Sequence, residues 1–337
     1  MTKTILIGHG SGGLMTTNLI RDVFLKNFGN TILDHLSDAA VTQAGKETIA
    51  FTTDSFVVDP VFFPGGNIGN LAVCGTVNDL SVTGATPLYL SCGFIIEEGF
   101  SINELEKIAS AMADEAKKAG IQIVTGDTKV VKKGQCDRIF INTSGIGIIA
   151  PGYTHISKGL HVKAGDRIIV NGFLGDHEIA ILAAREQLEF DQPVKSDVAP
   201  LNHMIGELLN AGIDIHFMRD ITRGGIGTVL SELAGKINIG ITIDESVIPV
   251  REQVAGACEI YGFNPLYLAN EGKVMLVIAE KDAKKAVELL RKNEYGREAR
   301  MIGEITDTNR GKVIMNSVIG SKRIIDKLTG EQLPRIC

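Results

Sequence analysis

Tryptophan is absent from this chain, aromatic residues make up only 5% of it, and its five cysteines include no CxxC pair. An odd number of cysteines spread over positions 74, 92, 136, 258 and 337 argues against both a disulfide framework and a zinc cage. Cys74, Cys92 and Cys258 have apolar neighbours and read as small buried hydrophobes, and Cys136 falls in the polar turn "KKGQCDR". Only Cys337, the last residue, has no packing role to explain it. Runs of Lys and Arg are also missing. With a net charge of −6 the chain has no electrostatic footprint for nucleic acid or an anionic membrane. No apolar stretch approaches the roughly 20 residues of a membrane span, and "MTKTILIGHG" is too short and too glycine-rich for a signal peptide. The expected location is cytoplasmic.

Glycine is what the chain has in excess, 38 of 337 residues, which implies many tight turns or backbone-lined binding loops. A chain of this length, 44% hydrophobic and 22% charged, supports two globular domains. In the first half, "TIAFTTDSFVV", "PLYLSCGFII" and "DRIFINTSGIGII" are rich in β-branched and aromatic residues and predict strands. Leu105, Ile108, Ala109, Met112, Ala113 and Ala116 follow helical spacing, with Gly120 as a stop. The mostly apolar "NIGNLAVCGTVNDLSVTGA" predicts a second, largely buried helix. Regularity breaks at "APGYTHISKGLHVKAGD", a domain boundary. A second series follows, with strands "DRIIVNG", "GITIDES", "KVMLVIAE" and "ARMIGEI" and helices starting near Asp176, Thr222, Arg251 and Lys281. After "KVIMN" regular structure is expected to thin. The expected organisation is an α/β (α+β) fold with domains at 1–152 and 153–325 and a mobile tail at 326–337.

Two sets of residues suggest chemistry. "GHGSGG" at Gly8 to Gly13 fits G-x-G-x-x-G, with Asp34 about twenty residues on, as in dinucleotide-binding folds. The strand before it would be only "TILI", and a glycine-rich segment folding over a ligand's phosphates explains the same letters. The second set is acidic: Asp38 in "SDAAV", Asp54 in "FTTDSF", Asp79 in "VNDLSVTGATP" and Asp220 in "MRDITRGG". Singly, each is accounted for as a cap or turn residue. Together they offer hard oxygen ligands for a divalent metal and nucleotide phosphates. "VTGDTKVV" reads as a turn in which Gly126, Asp127 and Thr128 hold phosphate or metal and Lys129 adds a cation, unless Lys129 is a surface residue like Lys132 and Lys133. Glu271 in "ANEGKVML" precedes a strand and is either a general base or a solvated strand-end carboxylate. No Walker A sequence occurs, so ATP would need another scaffold.

In this order the segments resemble the PurM-like superfamily of aminoimidazole ribonucleotide synthetase, selenophosphate synthetase and thiamine monophosphate kinase. Within it, "HGSGG", the long block from "TTDSFVVDP" to "GFIIEEG", "GDTKVV", "RDITRGG", "NEGK" and the terminal "PRIC" are similar to the HypE family of hydrogenase maturation factors. The resemblance spans nearly the whole chain. It implies a two-domain PurM-like fold whose N-terminal mixed sheet pairs into a barrel in a homodimer, with a C-terminal αβ domain and a flexible tail. ATP and Mg2+ are the implied cofactors. The implied activity is that of a carbamoyl dehydratase: the carbamoyltransferase HypF loads a carbamoyl group onto the C-terminal thiol, and ATP-driven dehydration turns it into a thiocyanate. The cyano group then passes to a HypC–HypD complex, for the cyanide ligands of nickel–iron hydrogenase. Carried over residue by residue, Cys337 is the carrier, and Asp38, Asp54, Asp79 and Asp220 match metal and phosphate positions. Asn67, Asn78, Gly126, Asp127 and Thr128 are implied in cofactor binding, and Lys129 and Glu271 beside the reacting group.

The chemistry accounts for the tail. Oxide is a very poor leaving group, so an amide loses water only after its oxygen has become a phosphate ester and the nitrogen protons have been removed. The thiol must also leave the ATP site to be loaded and unloaded, and eight or nine extended residues reach about 25 to 30 Å. Pro334 would stiffen the arm and Arg335 guide it into an acidic or phosphate-bearing cleft. Three other readings stay open at this point: a small-molecule kinase or synthetase of the same superfamily, a nicotinamide oxidoreductase, and a non-catalytic carrier.

Overall fold

The computed structural model describes residues 4–188 and 190–328. Pro334, Arg335 and Cys337 lie outside the described residues. The chain starts with a helical segment in which α1 (Leu14–Leu19) runs through a π-helical turn, Ile20–Leu25, into α2 (Lys26–Phe28). Next come β1 (Ala40–Ala44), β2 (Glu47–Phe56), a short hairpin of β3 (Phe62–Phe63) and β4 (Gly66–Asn67), and α3 (Ile68–Val82). Then follow β5 (Ala85–Glu97), α4 (Ile102–Ala119), β6 (Gln122–Val131) and β7 (Ile139–Ile149).

The long strands form a mixed sheet in the order β1-β2-β7-β5-β6, antiparallel except for the parallel β5–β6 pair. Buried residues of α3 and α4, among them Leu71, Val77, Ile108 and Met112, share one core with Leu90, Ile139 and Ile141 of the sheet. α4 buries a stripe at helical spacing, and Gly120 ends it in the left-handed conformation, as the sequence predicts. On the opposite face Phe51, Ile146 and Tyr89 stand in one cross-strand row, and Phe51 and Tyr89 are exposed. Among the described residues that face stays largely uncovered.

The second half builds β8 (Arg167–Val170), α5 (Asp176–Glu186), α6 (Asn202–Asn210), β9 (Ile215–Asp220), α7 (Gly225–Ile237), β10 (Gly240–Asp244) and α8 (Glu252–Tyr261). β11 (Val274–Ile278), α9 (Glu280–Leu290), β12 (Arg300–Thr306), β13 (Val313–Asn316) and β14 (Lys322–Ile325) complete it. Its sheet runs β14-β13-β10-β12-β8-β11-β9. β11 is buried at every position because both faces of the sheet are covered. Met275 and Val277 enter the core that holds Leu230 and Leu233 of α7. Val274, Leu276 and Ile278 enter the one that holds Met204 of α6 and Leu290 of α9. Among the described residues no helix is long and apolar enough to cross a membrane.

Two sequence expectations are corrected. "VTGDTKVV" is not a turn: its flanking β-branched residues carry it through as edge strand β6, paired with β5 from Gln122 to Val131. Regular structure also continues past "KVIMN", where β14 pairs antiparallel with β13. The two halves share packing, since Ile181 and Ala269 of the second lie in the core of the first.

Candidate active site

Where the halves meet, their acidic residues converge. Thr52 and Asp54 lie two apart on β2 and so project from one face of it. The Thr52 hydroxyl is 2.8 Å from both the Asp79 carboxylate on α3 and the Asp38 carbonyl, donating to one at a time. From the second half, β9 ends at Asp220, whose neighbour Arg219 pairs with Asp38 at 3.0 Å and with Glu232 of α7 at 2.9 Å. Asp220 pairs in register with Val274, the first residue of β11, which sets Glu271 at the mouth of the adjacent strand. Asp38, Asp54, Asp79, Asp220 and Glu271 all line one cleft of about 360 Å³.

Gly10 and Gly12 of "GHGSGG" line the same cleft, and the Arg223 guanidinium donates to the Gly10 carbonyl at 2.9 Å. Ile7–Gly10 is a single 3-10 turn, and residues 4–6 form no strand ahead of it, so the dinucleotide-binding reading of this motif fails. The end of the described chain meets the same loop. The Leu14 N–H donates to the Leu328 carbonyl at 3.0 Å, and a Cβ at Gly13 would lie 2.3 Å from that oxygen. The Tyr267 hydroxyl donates to the Asp326 carbonyl at 2.6 Å, and the Ser231 hydroxyl to the Ile325 carbonyl at 3.2 Å.

Six carboxylates line the cleft against two arginines. Burial, then Asp220, Asp38 and Asp54, holds the Asp79 carboxyl well above the ordinary range. Burial, then Asp38, raises Asp220 despite Arg219, and burial with Asp54, Asp197 and Asp220 around it raises Glu271 well above. Asp54 is raised by burial against the pull of Arg223. Even Asp38 is raised, its burial outweighing Arg219, while Asp38 raises Arg219 in turn. Such a site stabilises added positive charge. Among the described residues no three His, Cys, Asp or Glu side chains are gathered closely enough to hold a metal by themselves. A hard cation here would therefore need phosphate oxygens to complete its shell, the usual arrangement for magnesium on a nucleotide.

Other candidate residues lie elsewhere. Gly126, Asp127, Thr128 and Lys129 are on exposed β6, with Lys129 paired to Asp127 at 2.8 Å, and none of them lines the cleft. Asn67 caps α3 by accepting from the Gly69 N–H at 2.7 Å. Asn78 is buried and ties the halves together, donating to the carbonyls of Ala199 at 3.0 Å and Glu271 at 3.3 Å and accepting from the Leu201 N–H at 2.8 Å. Sequence reasoning passed over Thr52, Arg219 and Arg223. The two arginines bracket Asp220 in "MRDITRGG", and that alternation of charge was the available signal.

Residues 36–149 match the N-terminal domain, and residues 163–316 the C-terminal domain, of AIR synthase related protein, so fold and cleft together define a two-domain protein of that class. The chain is 46% identical over 338 residues to carbamoyl dehydratase HypE of Rhodobacter capsulatus, covering 99% of this chain and 98% of that one. Similar solved structures include one of a HypE–HypF complex, with a TM-score of 0.86 at 49% identity over 92% of this chain and 99% of that one. Another is HypE in complex with ATP, with a TM-score of 0.83 at 45% identity over 99% and 100% of the two chains. The chain belongs to the HypE family of carbamoyl dehydratases.

Proposed function

We propose that this protein is an ATP-dependent carbamoyl dehydratase that acts on its own C-terminal Cys337. The observation that carries the reading is the bond from Leu14 to Leu328: the chain leaves its last described residue from the glycine-rich loop that lines the acidic cleft. Cys337 lies nine positions beyond Leu328, an extended reach of about 30 Å, ample for a thiol to enter the cleft or swing out of it. The HypE relatives solved with ATP and with HypF support nucleotide use and loading by HypF. Delivery to a HypC–HypD complex and a cytoplasmic location complete the reading.

The oxygen-only donor set of Asp54, Asp79 and Asp220 suits Mg2+ bound with ATP, and Asp38 contributes while also held by Arg219. Bound there, the cation would offset charge on the transferring phosphoryl group. Thr52 orients Asp79 through its hydroxyl, and the glycines of the N-terminal loop offer backbone N–H groups to phosphate oxygens. Glu271, at the mouth of β11, accepts one proton from the carbamoyl nitrogen, and the second leaves with the departing phosphate as the C–O bond breaks and the C≡N bond completes. Lys129 steadies that oxygen; since it stands on exposed β6, this role draws on a homodimer in which the uncovered sheets of two copies pair. Replacing Cys337 with Ser should abolish carbamoyl loading by HypF and leave ATP binding intact. Undiminished loading would overturn the reading.

A further inference from the structure

The loop that carries Glu271 is fixed by side chains from four separate places. Glu178 of α5 accepts the Ala269 N–H at 2.6 Å, and Asn171 donates to the Gly272 carbonyl at 3.1 Å. Asn78 donates to the Glu271 carbonyl, and the two carboxylate oxygens of Asp197 accept the N–H groups of Glu271 and Gly272 at 3.0 and 3.3 Å. All four side chains are buried.

Asp197 stands apart among them. It does not line the acidic cleft; it lies behind the loop, its charge met by Lys273 at 2.8 Å. The two segments interlock, for a Cβ at Gly272 would fall 1.9 Å from the Asp197 carbonyl oxygen. A buried ion pair is weak evidence for stability, because an apolar pair of similar volume often serves the fold as well. What a carboxylate adds is two acceptors converging on consecutive N–H groups. That geometry fixes the peptide planes on either side of the Glu271 Cα and hence the direction in which its side chain leaves.

We propose that Asp197, backed by Lys273, is a positioning residue that aims the Glu271 carboxylate into the cleft from behind. It rests on the reading of Glu271 as the acceptor of the nitrogen proton. Asp197 lies outside the lining of the acidic cleft, so its loss should alter the chemical step and spare nucleotide binding. A misaimed base of this kind costs roughly 10- to 100-fold in rate.

The test is single-turnover dehydration of the full-length carbamoylated chain, followed as ATP-driven loss of one water from the intact mass. Asp197→Asn keeps the shape but offers one acceptor in place of two, and it strands the Lys273 charge. Asp197→Asn combined with Lys273→Met removes that stranded charge and restores the fold without restoring the acceptor. Both variants should lose roughly 10- to 100-fold in rate with the KM for ATP within about twofold of the parent. A folded double variant that dehydrates at the parental rate overturns the proposal, as does one whose rate recovers in step with its stability. Glu271→Gln separates this outcome from a failure of the underlying reading: it should abolish dehydration, and if it does not, Glu271 is not the base and the proposal falls with it.

Discussion

Asn78 on α3 and Glu271 before β11 are joined by a 3.3 Å hydrogen bond from the Asn78 amide to the Glu271 carbonyl. One buried side chain of the first domain thereby sets the position of a cleft residue in the second. Replacing Asn78 with Ala leaves the Leu201 N–H and the Ala199 and Glu271 carbonyls without this partner. A loss of at least about 1–3 kcal/mol is expected in urea unfolding. Unchanged stability would mean that water or relaxation replaces these bonds.

Burial pushes the Glu178 carboxyl up to about 8, only partly offset by the Ala269 N–H. Between the ordinary glutamate value of 4.5 and about 8, the folded chain keeps a proton that the unfolded chain has lost. The stability tied to this proton is therefore complete below the ordinary range and is lost as pH rises through about 8. Glu178→Gln keeps an acceptor for the Ala269 N–H without the titration. Its thermal unfolding should fall less between about pH 5 and 9 than that of the parent. Parallel profiles would remove Glu178 as a source of the pH dependence.

Val124 and Val130 are 56% and 69% exposed on edge strand β6. A charge on such an edge opposes sheet pairing between copies. If the proposed homodimer pairs through this edge, Val130→Asp should shift it towards monomer in sedimentation and lower ATP turnover, because Lys129 and Asp127 stand on the same strand. A dimer of undiminished stability would contradict pairing through this edge.

Tyr267 holds the root of the tail through the Asp326 carbonyl. Tyr267→Phe removes one hydrogen bond, which should slow dehydration of the tethered group by roughly two- to tenfold. Loading by HypF, which the proposed mechanism puts away from the cleft, should not slow. Equal losses in both steps would mean a general disturbance of the tail.

The elements legible in the sequence were those with a strong period or a continuous apolar run, such as α3, α4, β5 and β11. β6 was not, because "GD" within "VTGDTKVV" carries the letters of a turn and only pairing with β5 makes it a strand. β14 is four residues long and exposed at Lys322, Arg323 and Ile324, too weak a pattern to register before its partner β13 is in place. In the site, the four aspartates were legible as a chemical type. Their convergence was not, since it depends on α3 docking against β9 across the domain boundary. Nor could letters alone show that Lys129 lies apart from them or that Asp197 braces Glu271 from 74 positions away.

The central claim is that the reacting group rides on the chain itself, and the intact mass of the protein tests it most directly. After incubation with HypF, carbamoyl phosphate and ATP, the mass should first rise by one carbamoyl group at Cys337. It should then fall by one water only while ATP is present. A carbamoyl group found on another residue, or one at Cys337 that ATP leaves unchanged, would contradict the account.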